Sequence, residues 1–184
     1  MLTLRIIAGN SVTEEQIENT RSVAAVGNDF SRYTVQINPL YETDLSNFNY
    51  ITVEIGLENS ASKIYVDSVQ LENGHGTGRY DYLTNGSFDN MQADSNGWDI
   101  SSDYYYGDDY VFSSDLKKNI IGFKTNGAEI SNSVSQSVTV SGKKGDILTF
   151  GGWVNAAIVY NGSDTILKKH LDENDYNNYE TDRI

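Results

Sequence analysis

The chain has 184 residues, one proline, no cysteine and a formal net charge of −13. Without cysteine there is no disulfide framework, no thiolate metal centre and no cysteine nucleophile. The negative field repels nucleic acid and anionic membrane surfaces, so neither is an expected partner.

Hydrophobic residues make up 38%, below the usual globular share. The 13 Tyr, six Phe and two Trp must therefore carry much of the buried area. Asn, Ser, Thr, Asp and Gly crowd the gaps between short apolar runs, which reads as an all-β protein with many turns. No run approaches the roughly 18 apolar residues of a membrane span. The apolar stretch in MLTLRIIAGN is too short for a signal peptide, and the chain reads as part of a longer one.

In chain order, LTLRIIA at residues 2–8 reads as a strand. SVTEEQIEN at 11–19 reads either as a short helical turn, with Thr13 and Gln16 at capping-box spacing, or as a polar loop. From Phe30 onward the pattern has period two. Tyr33, Val35 and Ile37 share one face, and Ile51, Val53, Ile55 and Leu57 share another. Such alternation means one buried and one wet face, as in an antiparallel sandwich. In SKIYVDSVQLE the phase slips between Val66 and Val69, predicting a bulge near Asp67–Ser68. Residues 73–86 are Gly-rich and read as a connector. Residues 132–159 read as two strands joined by a turn at SGKKGD, and the acidic tail LDENDYNNYETDRI reads as a mobile end.

Three stretches together resemble a known family: LTNGSFDN with NGWDI, then VSQSVTVSGKKGDILTFGGWVNAA, and YITVEIGLENSASKIYVDSVQLENG. They are similar to the carbohydrate-binding-module-like β-jelly-roll repeats of clostridial wall-associated and RHS (YD)-repeat secreted proteins. The resemblance implies a jelly-roll β-sandwich of two antiparallel sheets. In that family the middle stretch is a hairpin.

The order departs from the family. The closing motif, Val66–Glu72, precedes the opening motif, Asn85–Asp89. Residues 1–72 then read as the C-terminal half of one module, 73–84 as a connector, and 85–184 as the N-terminal half of the next. Half a sandwich exposes its apolar face and strand edges and does not fold alone. The halves are expected to complete one sandwich in circularly permuted order within a monomer. The alternatives are a swapped dimer and a poorly folded fragment.

The resemblance also implies a structural Ca²⁺ where the opening strand meets the closing strand, with Asp89 and Asp67 as ligands. The other reading has Asp89 capping a turn and Asp67 facing water at a bulge. DYYYGDDY offers a sugar platform, with Tyr104, Tyr106 and Tyr110 as stacking rings and Asp108 accepting from hydroxyls; ordinary strand packing competes. Trp98 and Trp153 sit at family positions that look like core, within an expected core of Val35, Ile37, Ile51, Val53, Ile55, Ile64, Val66, Phe88, Val138, Val140 and Phe150. The NGS triplets at 85–87 and 161–163 read as Asn-Gly turns.

Catalysis has no constellation. His75 and His170 lack a nucleophile and an acid in plausible context, and GHGTG lacks the Lys-Ser/Thr of a phosphate loop. The expected function is a non-catalytic, secreted or cell-wall-associated bacterial module that binds a cell-surface or plant glycan weakly. The alternative is a structural spacer or adhesive repeat with no glycan ligand.

Overall fold

The computed structural model describes residues 1–24, 26–27, 29–38, 40, 42–57, 63–75, 81–89, 97–100, 110–113, 118–124, 132–157, 159–160 and 163–164. Among these there is no α-helix. The strands are β1 (Leu2–Gly9), β2 (Gln16–Val23), β3 (Ser31–Ile37), β4 (Tyr50–Leu57), β5 (Lys63–Asn73), β6 (Asp99–Ile100), β7 (Tyr110–Ser113), β8 (Lys118–Lys124), β9 (Asn132–Thr139), β10 (Leu148–Ala157), β11 (Val159–Tyr160) and β12 (Ser163–Asp164). One 3₁₀ turn, Leu45–Asn47, precedes β4.

Period-two alternation sorts these strands into a two-layered β-sandwich. The first sheet runs β2-β1-β4-β9-β6, and the second runs β3-β10-β5-β8-β7, with neighbours antiparallel. Most connections cross from one sheet to the other, as in jelly rolls. From the first sheet Leu2, Leu4, Ile6, Ile51, Val53, Ile55 and Val134 point inward. They meet Val35, Ile37, Ile64, Val66, Val69, Leu71, Phe150 and Val154 of the second. Each sheet takes strands from before residue 73 and after residue 84, so a single core joins both parts of the chain.

The bulge lies where the phase slip predicts it. Gly151 pairs with Gln70 and Trp153 with Asp67, so β5 carries one extra residue there, and Ser68 has φ +48°. The extra residue brings Val69 and Leu71 back to the core face after Ile64 and Val66.

Three expectations change. SVTEEQIEN forms no helix: a turn at residues 11–13 leads into β2, an edge strand. Its side chains are exposed apart from half-buried Ile17 and Val23, so the sequence carries almost no apolar alternation to reveal it. The strands on either side of SGKKGD do not pair as a hairpin, because β9 belongs to the first sheet and β10 to the second. Trp153 is not core: it is 42% exposed, while Trp98 is buried, as is most of the expected core; Val138 and Val140 are half-buried.

Side chains hold what the sheets leave open. Buried Gln136 projects from β9 and donates to Thr84 O at 2.9 Å while accepting from Thr84 N–H at 2.7 Å. It thereby ties residues 81–88 to the first sheet. The same segment runs beside the end of β5: Val69 N–H donates to Gly86 O and Tyr82 N–H to Leu71 O. At the opposite edge of the second sheet, β3 has carbonyls that no strand takes. Asn19 and Arg21, two apart on β2, donate to Gln36 O (2.6 Å) and Thr34 O (2.9 Å).

Candidate functional site

The two outer faces differ. On the first sheet Arg5 grips Glu18 through two 2.8 Å bonds and lies 3.6 Å from Glu54. The Arg5 guanidinium holds the Glu18 carboxyl below the usual carboxylate range. Around this cluster stand Thr20, Thr52, Ser135 and Ser137, with Thr52 and Ser137 hydrogen bonded at 2.7 Å. No large aromatic on this face is exposed among the described residues.

The second sheet presents Trp153. Phe150 and Val154 of β10 point into the core, so alternation turns Trp153 outward. Register places it in one row with Arg32 of β3 and Asp67 of β5. The next row is Thr34, Gly151 and Gln70, and the third is Gln36, Thr149 and Glu72. Arg32 in the first row reaches Glu72 in the third at 3.2 Å. The ion pair therefore crosses the row of Gly151, where β10 carries no side chain. A Cβ at Gly151 would stand 2.4 Å from Tyr33 O and 2.6 Å from Thr34 Cγ2, so only glycine fits.

Burial grades this face. Glu72 is fully buried and Asp67 is 1% exposed, while Trp153 stands in water at 42%. Gln36 donates to Thr149 Oγ1 at 3.0 Å, and that hydroxyl in turn bonds Gly74 O. His75 Nδ1 lies 3.4 Å from Gln36 Nε2. Tyr82, 41% exposed, stands on the segment at the other side of β5 from Trp153.

Asp81 governs the entry of that segment. Although the residue is exposed, its Oδ1 turns to β5 and accepts from Leu71 N–H (3.0 Å) and Leu83 N–H (2.9 Å). Loss of water against β5 pushes its carboxyl above the ordinary aspartate value of 3.8; the two N–H bonds pull it down and the Glu72 charge pushes it up. A raised folded-state pKa means that the folded protein binds the proton more tightly than the unfolded chain. This term favours folding at acid pH and is lost as pH rises from 3.8 through the raised value. Asp81→Asn keeps an oxygen acceptor and removes the desolvated charge. Its melting temperature is expected to exceed that of the parent at pH 7, with the difference vanishing near pH 3; the opposite sign at pH 7 would contradict this account.

The two predicted ligands differ in burial. Asp67 is buried in β5, and Asp89 is exposed with Ser87 Oγ donating to it at 2.6 Å. The turn carrying Asp89 is attached to the same strand through Gly86 O and Val69 N–H. Among the described residues no three acidic or histidine side chains gather in one place. Two carboxylates alone fall short of the six to eight oxygens that Ca²⁺ takes. Tyr104, Tyr106 and Asp108 lie outside the described residues. Tyr110 opens β7 opposite Ile121.

Trp153 was legible by one simple count. Period two from Phe150 through Val154 places it on the face opposite the core, against the core position that the family resemblance implies. Comparison with family models, curated proteins and solved structures finds no match to the chain.

Proposed function

We propose that this chain is a non-catalytic module of a secreted or wall-associated bacterial protein, binding glycan weakly on the outer face of its second sheet. The observation that carries the reading is Trp153: a large indole, 42% exposed, at mid-strand on a sheet face. Indole usually goes to the interior, and an exposed, flat aromatic among amides and hydroxyls suits the apolar face of a pyranose ring. The ion pair beside it ties β3 to β5 across β10, and rigid sites lose less entropy on binding.

Trp153→Ala tests the reading. It is expected to abolish retention on an insoluble polysaccharide panel, while stability falls by no more than about 1 kcal/mol because the ring is already half in water. Unchanged retention would end the proposal.

The spacer reading draws on a different observation, the first sheet, which carries hydroxyls and paired charges and exposes no large aromatic among the described residues. Permuted module order belongs to the same proposal. It is supported by the closing motif of β5 lying against the opening motif, Asn85–Asp89, where Val69 N–H donates to Gly86 O. The calcium implied by the resemblance would clamp this junction and leave the ligand untouched. A fall in melting temperature on adding chelator supports it, and an unchanged value ends it.

A further inference from the structure

We infer that the Trp153 face selects uncharged, hydroxyl-rich saccharides and rejects uronic-acid and phosphate-bearing polymers. The inference rests on the platform proposed above and adds the charge class of its ligand.

Across the three rows of this face Arg32 is the one cation. It is already bound to Glu72 at 3.2 Å, with 17% of its side chain exposed. The two carboxylates are withdrawn as well, Glu72 fully buried and Asp67 1% exposed. Arg32 and Glu72 are thus spent on one another, and Asp67 is withdrawn from the surface by burial. Beside the indole the face offers Thr34, Gln36 and Gln70, none of them fully buried. Amides and hydroxyls both donate and accept, which matches the dual character of sugar hydroxyls.

An anionic polymer would have to shed water from its charges and find no open cation among the described residues of these rows. It would also approach a chain carrying −13. A cationic amino sugar gains only from the distant field, an attraction that salt removes.

The experiment uses the full chain at pH 8. Binding is followed by tryptophan fluorescence and calorimetry. The probes are β-linked hexasaccharides of glucose, mannose, xylose and galactose, an oligogalacturonate of the same length, and a poly(glycerol phosphate). At least one neutral hexasaccharide is expected to bind with Kd of about 1 mM or tighter. That affinity should change less than about twofold between about 20 and 500 mM NaCl. Both anionic probes should bind at least about tenfold more weakly at the lower salt. Gln70→Lys places an open cation beside the platform and should improve oligogalacturonate binding by about fivefold at low salt, with the gain lost at high salt. An anionic probe that binds as tightly as every neutral one, and loses binding in Trp153→Ala, overturns the charge selection and leaves the platform standing. Failure of all probes to bind overturns the platform, and this inference with it.

Discussion

Phe88→Ala is expected to lower the melting temperature by about 10 °C, the equivalent of about 3–5 kcal/mol for a chain of this size. Phe88 is fully buried, with its ring centroid 5.2 Å from that of Trp98. Its own N–H donates to Asn85 O at 3.0 Å, and Trp98 Nε1 donates to the same carbonyl at 3.0 Å. One residue thus anchors the start of the second part of the chain in the shared core. Phe88 also has φ +58°, a left-handed conformation that costs a non-glycine residue about 1–2 kcal/mol. Burial of the ring outweighs that cost. The usual ranking should therefore invert: Phe88→Gly, which relieves the backbone, should be no less stable than Phe88→Ala. Thermal or urea unfolding of the three proteins decides this. A loss below about 1 kcal/mol for the alanine variant would mean that the ring contributes little to the core.

Arg32→Met is expected to cost about 3 kcal/mol, or about 6–12 °C. The thioether fills much of the same space, so packing changes little. What changes is Glu72, fully buried, whose 3.2 Å cationic partner disappears. A charge held in the interior without its counter-ion is the costly state, more so than either an intact pair or an uncharged pair. Adding Glu72→Gln to Arg32→Met should therefore recover most of the loss. A double variant as unstable as the single one would show that Arg32 acts through shape instead of charge.

The strands with alternating apolar residues were the most legible part of the fold. β3, β4 and β5 each put one residue in two against the core, and that constraint writes itself into the sequence as alternation. Even the bulge could be read, because an inserted residue must shift the phase of the apolar positions after it. β2 could not be read in this way. Both its faces meet water over most of its length, so selection leaves no period in it, and Thr13 with Gln16 mimic a helix start. Its strand state is imposed from outside, by pairing with β1 along the whole length. The partition of β9 and β10 was equally hidden, since SGKKGD suits a tight hairpin and a crossing between sheets alike. Of the site, Trp153 was within reach of a count. Arg32 and Glu72 were not, being 40 residues apart in sequence and joined only because β10 inserts between β3 and β5.

The two side-chain bonds from Asn19 and Arg21 to β3 have a consequence for molecules held close together. Unclaimed carbonyls along a border strand are a template on which a neighbour's backbone can add itself. Here those acceptors are already taken from within. Crowded copies, or successive bodies in one long polypeptide, would meet at this margin without growing into a continuous ribbon and would stay separate beads.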